Sequence, residues 1–569
     1  MLCNTCTAML FQLRQDHHHT TLESLITAKE ERCYICAPLW VHVHQKFGPP
    51  AELLEFPFLF VSIPPFDRST GFVFIVFDLV GDERRKGEYA CHIRTGLEVQ
   101  AVNDIRERLT EDMLDQGIKK TQRWMAECFK SHVRCQKNTN PTIYPTRLLK
   151  LEEGRVRLTI TAEEEPQGPY IALSYCWGKD PTFLRLEDST CEELKKGVAI
   201  SRLPTAFQEA TCFIQNSLWA KSRSAIFGSM LYVSFKAKLP TKTGSPNVTK
   251  CILTLALARA ENPHQSCLGG GPLGLVLPFE VASTEFSSDS GKCVVYSTTF
   301  YADLLYNQPL WSRAWAMQER ILPPRVNHLI RGLDPYSDKP CARETDIETL
   351  RKQWANIVAE YTNRKLTCPE KDKLLAISAL ARRWEVAMQD EYIAGHFWSM
   401  LSYSLDWAMK ANSTRPPRRI QVVWKQADDG RSITVPSWSW ASMDGCQVHS
   451  LTKSDRDFVH VQSWRLIPGP TEGTLVPALT ILADVADIPQ VDGTYRVRDD
   501  SCMILIDDPE ADDETHECRL VRLTSTGGLI ARRGDSVTGP VYRRVGYFIL
   551  VGKFGKIIGR REKETVTLI

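Results

Sequence analysis

Apolar and polar residues alternate along several short stretches of this chain, and this period of two predicts β-strands. Residues 71–78 and 546–552 show it clearly. Other stretches repeat apolar residues at helical spacing, as Leu203, Phe207 and Ala210 do. The chain is therefore expected to mix strands and helices throughout its length.

Residues 170–178, YIALSYCWG, are the most informative of these patterns. Alternation divides the stretch into two faces, Ile171, Leu173, Tyr175 and Trp177 against Ala172, Ser174 and Cys176. A strand that ends in Trp-Gly presents a large ring and an open backbone at the carboxyl edge of a sheet, where α/β proteins place their sites. A buried core strand explains the same pattern equally well.

The order of the elements predicts an α/β fold, because strands and helices alternate in the middle of the chain as they do in βαβ units on a parallel sheet. Five regions are expected: a cysteine-rich segment at 1–48, an α+β region at 49–144, the alternating module at 145–325, a helical region at 326–417 and a strand-rich region at 418–569.

Composition narrows the class of protein. The 569 residues carry a formal net charge of +2, which argues against an electrostatic nucleic-acid binder. No stretch reaches the roughly 18 uninterrupted apolar residues that a membrane helix needs, and the first residues lack the pattern of a secretory leader. A cytoplasmic protein without a membrane span is therefore expected, and its 18 cysteines are interpreted as thiols or metal ligands before disulfides.

Two Cys-x-x-Cys pairs stand near the amino end, formed by Cys3, Cys6, Cys33 and Cys36. Two such pairs supply the four thiolates of a structural zinc site. Three histidines between the pairs could replace one sulfur: His17, His18 and His19. The alternative is a reduced cysteine-rich cap that packs on its neighbour without metal.

Catalytic motifs are scarce. The chain has no phosphate-binding P-loop, no Gly-x-Ser-x-Gly elbow and no His-Glu-x-x-His helix. Glu319 is the candidate catalytic residue, as a general base beside Gln318. It is also explained as a structural helix carboxylate paired with Arg320 or Arg325. Cys176 is interpreted as a buried thiol rather than a nucleophile.

Four sequence blocks, taken together, resemble the fungal heterokaryon-incompatibility (HET) domain family. YIALSYCWG is similar to its opening signature, and the other blocks are LPTAFQEA at 203–210, PLWSRAWAMQERILPPR at 309–325 and PSWSWA at 436–441. They follow the family's order over most of residues 145–445. In PSWSWA a strand is expected, with Trp438 and Trp440 on one buried face.

The resemblance implies a fungal self/non-self recognition protein whose HET domain triggers programmed cell death when incompatible hyphae fuse. It also implies a TIR-like, flavodoxin-like parallel sheet, and signalling through protein partners and self-association. The expected interface or ligand cleft consists of Ser174, Tyr175, Trp177, Gly178, Gln318 and Arg320. Two alternatives stay open: a TIR-like enzyme that cleaves NAD as its substrate through Glu319, and a HET-family regulator without a cell-death role.

One family element is missing. After the helix at 203–210 a HET domain continues into a strand similar to YIWIDALCIIQ, whereas residues 224–236 read SAIFGSMLYVSFK. If the last base of each codon is read with the first two bases of the next, the codons of residues 225–236 permit the missing motif YIWIDALCIIQ. Our hypothesis is that about 217–265 is translated out of frame, packs poorly and impairs the module. The alternative is a long basic insertion loop in an intact domain.

Overall fold

The computed structural model describes most of the chain, with gaps. The described residues are 3–12, 19, 21–31, 33, 35–37, 39–40, 58–60, 72–79, 87–95, 113–131, 143–179, 182–216, 231–234, 250–268, 279–282, 292–297, 308–328, 346–411, 416–450, 458–487, 502–508, 518–534, 540–550 and 563–569.

Helices occur in the amino-terminal two thirds of the described chain. They are α1 (Asn4–Gln12), α2 (Leu22–Glu30), α3 (Met113–Ser131), α4 (Thr161–Glu164), α5 (Asp188–Lys196), α6 (Thr205–Ile214), α7 (Trp315–Ile321), α8 (Ile347–Thr362), α9 (Pro369–Asp372), α10 (Ser378–Met388) and α11 (Leu401–Ser404). Short 3₁₀ turns lie at Ile200–Arg202, Pro309–Ser312, Trp398–Met400 and Trp440–Ser442.

Strands β1 to β12 lie before residue 330: β1 (Phe58–Phe60), β2 (Phe72–Leu79), β3 (Gly87–Thr95), β4 (Arg147–Glu152), β5 (Arg155–Ile160), β6 (Tyr170–Ser174), β7 (Val198–Ala199), β8 (Leu231–Ser234), β9 (Leu253–Ala256), β10 (Phe279–Ala282), β11 (Lys292–Ser297) and β12 (Val326–His328). Strands β13 to β20 follow: β13 (Tyr392–Ile393), β14 (His396–Phe397), β15 (Trp407–Ala411), β16 (Arg418–Arg419), β17 (Val423–Gln426), β18 (Ser432–Thr434), β19 (Met443–Asp444) and β20 (Cys446–Ser450). The last eight are β21 (Val459–Pro468), β22 (Thr474–Ala483), β23 (Val485–Asp487), β24 (Cys502–Ile506), β25 (Cys518–Arg522), β26 (Gly527–Gly534), β27 (Val541–Leu550) and β28 (Glu564–Leu568).

Most of these strands belong to three large sheets and the others pair in two-stranded sheets, so the expected mixture of α and β structure is confirmed. A 10-stranded sheet contains β17, β18 and all strands from β21 to β28, which agrees with the strand-rich end of the sequence. A 5-stranded sheet has the order β1-β2-β3-β11-β10. Strands β10 and β11 lie between residues 145 and 325 and pair with each other, and β11 also pairs with β3, so this sheet joins the stretch to the preceding region.

The 7-stranded sheet holds the YIALSYCWG strand at its centre, in the order β12-β9-β6-β8-β4-β5-β7. Strands β12, β9, β6 and β8 are parallel, while β4, β5 and β7 extend the sheet with antiparallel pairs. The expectation of a parallel sheet is therefore correct for four strands only. The antiparallel part exists because Glu153 and Gly154 form a two-residue turn between β4 and β5, with Gly154 at φ 69°.

Strand β6 is buried on both faces. Ile171, Leu173 and Tyr175 pack in one apolar cluster with α6, and Tyr170 and Ala172 pack in a second cluster with α8 and α10. The alternation predicted from the sequence is thus confirmed. The strand ends at Ser174, earlier than the glycine that was expected to stop it.

The segment expected to be out of frame is described only in part. Residues 217–230 and 235–249 lie outside the described residues. The backbone at Leu231–Ser234 forms β8, which pairs with β6 and β4. From 251 to 260 the expected poor packing is wrong, because Leu253–Ala256 is a parallel strand with every residue buried. An apolar run suits that place, since a central parallel strand is covered on both faces.

The PSWSWA block is not a strand, which corrects the sequence-based expectation. Trp438 lies in a turn and Trp440 begins a 3₁₀ turn. Both rings are buried, but in different apolar clusters. The Ser439 hydroxyl accepts a bond from the backbone of Ala441 and donates to the carbonyl of Ala394, and such local side-chain bonds compete with strand pairing.

No helix among the described residues combines the length and the apolar composition that crossing a membrane requires.

Candidate functional site

The first and the third of the resembling blocks meet at the carboxyl end of β6. The Ser174 hydroxyl donates a hydrogen bond of 2.5 Å to Oε2 of Glu319, which lies on α7. Both residues are buried, with 2% and 8% of their surface exposed. The Leu257 backbone, just after β9, donates to the Ser174 carbonyl over 2.8 Å. The pair therefore lies where the loops after two adjacent parallel strands diverge, the usual position of sites in open α/β sheets.

Local structure fixes the position of α7. The helix follows the 3₁₀ turn at Pro309–Ser312 and ends before two prolines, which cannot continue it. The Leu310 backbone donates to the Ala258 carbonyl over 3.2 Å, and the Arg313 guanidinium donates to the Tyr175 carbonyl over 2.8 Å. These bonds hold the start of the helix against the loops that follow β9 and β6.

The titratable side chains that follow β6 at the site are held in their uncharged forms. Burial raises the pKa of Tyr175 above its usual range, and the nearby Glu319 carboxylate raises it further. Burial also raises the pKa of Cys176, although Arg313 opposes that shift. Burial raises the pKa of the neighbouring Cys267 to about 12. Cys176 therefore stays a protonated thiol at neutral pH, which agrees with its interpretation as a buried thiol.

The neighbours of Glu319 on α7 differ in their environment. Gln318 is 5% exposed, and its Oε1 atom has no hydrogen-bond partner among the described residues. Arg320 is half-buried and forms an ion pair of 2.8 Å with Glu360. Gln318 thus belongs to the buried site, whereas the Arg320 side chain is engaged with α8.

On the strand side of the expected interface, Trp177 and Gly178 reach the surface. Trp177 is half-buried and stacks on Tyr175 with ring centroids 5.8 Å apart. Gly178 is exposed at φ 79°, and a Cβ atom there would lie 2.8 Å from Cβ of Asn262. Glycine is therefore required for close approach of the loops after β6 and β9. Because Ser174, Tyr175 and Gln318 are buried, the expected residues do not form one continuous exposed surface.

An open cleft of about 590 Å³ lies beside this point. It is lined by Thr182, Phe183, Leu184, Arg185, Glu187, Thr190, Arg202, Leu203, Pro204 and His264. The Phe183 ring connects the cleft to the site, since its centroid lies 5.6 Å from those of Trp177 and Phe207. The sequence analysis did not find this cleft, because its lining comes from four short segments without a shared motif.

A second candidate site is the cysteine cluster at the amino end. The thiol sulfurs of Cys3, Cys6, Cys33 and Cys36 all lie within 4.8 Å of one another. Three of these cysteines are buried and Cys3 is half-buried. Cys3 and Cys6 lie at the start of α1, and the other pair follows α2, so two helices bring the pairs together.

The distances in the cluster fit a metal better than disulfides. The Sγ atom of Cys36 lies 3.7 Å from that of Cys3 and 3.4 Å from that of Cys6, and Cys33 Sγ lies 3.6 Å from Cys6 Sγ. Zn–S bonds of about 2.3 Å in a tetrahedron separate the sulfurs by about 3.8 Å, whereas a disulfide needs about 2.05 Å. Hydrogen bonds with Cys33 lower the pKa of Cys3, and hydrogen bonds with Cys3 raise that of Cys6. The four thiols therefore do not ionise independently.

His19 is the histidine of the predicted replacement set that the structure describes. Its Nε2 atom lies 3.3 Å from Cys36 Sγ and its Nδ1 atom 2.6 Å from the Ser24 hydroxyl. It does not belong to the set of four mutually close ligand atoms. His17 and His18 lie outside the described residues.

Comparison with known proteins adds no relative. No family model, no curated protein and no solved structure matches this chain. Function therefore has to be inferred from the geometry of these two sites and from the resemblance of the sequence blocks.

Proposed function

We propose that this chain is a HET-domain protein of fungal self/non-self recognition that signals programmed cell death in the cytoplasm. The observation that carries the proposal is the hydrogen bond between Ser174 and Glu319. It joins the opening block and the 309–325 block, which are far apart in sequence. The two blocks build one site at the end of β6, and this explains why both occur in the chain.

The arrangement of the parallel strands supports the same proposal. Numbered by their order in the chain, β6, β8, β9 and β12 lie side by side in the order 2-1-3-4. Flavodoxin-like sheets have the order 2-1-3-4-5 and bind ligands between strands 1 and 3. Ser174 ends strand 1 of this set, and Ala256 ends strand 3. A TIR-like core is therefore the fold that we propose for the module.

Signalling through protein contacts is the mechanism that we favour. The half-buried Trp177 offers an aromatic surface at the site, and the cleft beside it is open. Aromatic residues of this kind dominate protein interfaces. A formal net charge of +2 gives little overall electrostatic attraction to nucleic acid. Incompatibility partners and a second copy of the chain are the binding partners that we propose.

Controlled expression in hyphae of a filamentous fungus tests the proposal. We expect compartments that express the protein to take up a vital dye, and Trp177→Ala to abolish this effect at equal accumulation. Val386→Ala is the matched control, because that side chain is 73% exposed on α10 and remote in sequence from the site. Survival of all hyphae would refute a death signal. Altered development or metabolism in viable hyphae would instead favour a HET-family regulator.

An NAD-cleaving enzyme is the second candidate function. The observation that favours it is a buried carboxylate, Glu319, at the carboxyl edge of the sheet with a cleft nearby. A carboxylate placed beside a cleft at this edge of a sheet is a candidate general base. Incubation of the purified chain with NAD tests it: steady nicotinamide release that Glu319→Gln removes supports the enzyme. Oligomers that grow with concentration, without turnover, support signalling by contact alone.

We also propose that the cysteine cluster is a structural zinc site. Four sulfur donors at tetrahedral separations fit zinc, which such sites bind with no open position for chemistry. Bound zinc would tie α1 to the segment after α2. Elemental analysis of the purified chain should give about one zinc per molecule, and Cys6→Ser should lose it. Cys368→Ser is the control, because that thiol is exposed and outside the cluster.

A further inference from the structure

His19 is buried against the cysteine cluster without being one of its four close ligands. The residue is 3% exposed, and its Nε2 atom lies 3.3 Å from Cys36 Sγ. Its other ring nitrogen lies 2.6 Å from the hydroxyl of Ser24, on the first turn of α2. The imidazole therefore bridges α2 and the cysteine cluster.

The chemistry of the thiolate determines which atom donates the hydrogen bond between His19 and Cys36. A metal-bound thiolate accepts hydrogen bonds and has no proton to donate. Nε2 must then carry the proton toward Cys36, while Nδ1 faces the Ser24 hydroxyl. The Ser24 backbone in turn donates to the Thr21 hydroxyl at the helix start, over 3.2 Å. The contacts with Ser24 and Cys36 hold the orientation of the ring.

Two of the other sulfurs, those of Cys33 and Cys3, receive hydrogen bonds from the backbone. The Cys3 amide donates to Cys33 Sγ over 3.3 Å, and the Cys6 amide donates to Cys3 Sγ over 3.4 Å. Four thiolates around one dication leave an excess of negative charge in a mostly buried site, so each N–H donor stabilises it. At Cys36 the His19 side chain supplies such a donor, and unlike the amides it can be removed by substitution.

We propose that His19 is a positioning residue of a four-thiolate zinc site, donating a hydrogen bond from Nε2 to Cys36 while Ser24 fixes the ring. This role rests on the zinc site proposed above. It also assigns the metal an all-sulfur donor set and makes His19 an outer partner, in contrast to the replacement ligand that the sequence allowed.

Cobalt(II) and zinc titrations of the full chain test the proposal. We expect the wild type to bind one Co(II) with the absorption of a tetrahedral all-sulfur site. His19→Ala should keep that spectrum but bind zinc about 10–100-fold more weakly in competition with a chromophoric chelator. His19→Gln should recover most of the affinity, because its amide nitrogen reaches the position of Nε2. His17→Ala controls for adventitious binding by the histidine run and should match the wild type.

The outcomes separate the two proposals. Absence of stoichiometric metal binding in the wild type overturns the zinc site and this role together. Tight all-sulfur binding that His19→Ala leaves unchanged overturns the role of His19 alone. A wild-type spectrum with mixed sulfur and nitrogen ligands that changes in His19→Ala makes His19 an inner ligand, and this also overturns the proposal.

Discussion

Ser174 Oγ donates to Glu319 Oε2 over 2.5 Å, although 145 positions separate the two residues in the chain. The bond connects the end of the central strand β6 to the helix that leads into β12. Together with the bond from Arg313 to the Tyr175 carbonyl, it joins the two most distinctive sequence blocks of the module.

Removal of the Ser174 hydroxyl, which donates this bond, should destabilise the fold. Ser174→Ala leaves the buried Glu319 carboxylate without this bond, which we expect to lower the free energy of unfolding by about 1–3 kcal/mol. Glu319→Gln should cost less, because its amide oxygen still accepts from Ser174. Urea unfolding of Ser174→Ala, Glu319→Ala and the double variant measures the coupling, because each of these single substitutions removes one partner of the bond. Strictly additive effects would show that the two side chains do not interact.

Alanine at Gly178 should be costlier than alanine at Gly154. Both glycines have positive φ, 79° and 69°, so both variants carry backbone strain of about 1–2 kcal/mol. At Gly154 no atom lies within 4 Å of the added Cβ, whereas at Gly178 it lies 2.8 Å from Cβ of Asn262. The clash should add about 1–3 kcal/mol in denaturant unfolding. Equal losses in the two variants would mean that the loops after β6 and β9 are not in contact.

Stability should fall in acid through His396. Burial lowers the pKa of its imidazole to about 3, with a further contribution from Arg544. The unfolded chain binds a proton near pH 6.5, so unfolding takes up a proton between pH 6.5 and about 3. The stability contribution is complete above pH 6.5. It decreases by up to about 1.4 kcal/mol per pH unit as the pH falls.

Comparison with His396→Asn isolates this effect, since all other groups titrate in both proteins. Asparagine retains a polar atom toward Ser404, which lies 2.7 Å from Nδ1 of the histidine. We expect the plot of unfolding free energy against pH to be flatter for the variant between pH 6.5 and 4.5 by up to about 1.4 kcal/mol per unit. Parallel plots would show that His396 titrates normally in the folded protein.

The reading-frame hypothesis predicts the third base of two codons, those of Phe227 and Phe235. The next phase encodes Trp across Phe227 and Gly228 only if the Phe227 codon ends in T. It avoids a stop across Phe235 and Lys236 only if the Phe235 codon ends in C. The buried packing of 251–260 requires the native frame to resume by about 251. Sequencing of the transcript decides the question, and an opposite base at either codon would favour the insertion-loop alternative.

Periodicity was sufficient to predict the elements around the site. The alternation in β6 and the helical spacing in α6 depend only on which faces are buried, and both elements form as the pattern indicates. The contact between Ser174 and Glu319 was beyond such reasoning. It depends on how α7 packs across the end of the sheet, and local patterns do not specify that.

The PSWSWA block shows where periodicity misleads. Alternating tryptophans suggest a strand, yet hydrogen bonds decide otherwise, since Trp440 Nε1 donates to the Gly395 carbonyl over 2.9 Å. Gly395 allows this approach, because a Cβ there would lie 2.9 Å from the same indole nitrogen. The cysteine pairs, in contrast, were recognisable from spacing alone, because two ligands in one turn are a local property.

Cell death after hyphal fusion is the most direct test of the proposed function. Strains that express the chain as translated, or with residues 217–250 restored to the alternative phase, are fused with a strain of different incompatibility type and stained with a vital dye. We predict rapid death of fusion compartments with the restored chain and weaker death with the translated one. Viable compartments in both strains, with both proteins accumulating to equal levels, would contradict a death-signalling role.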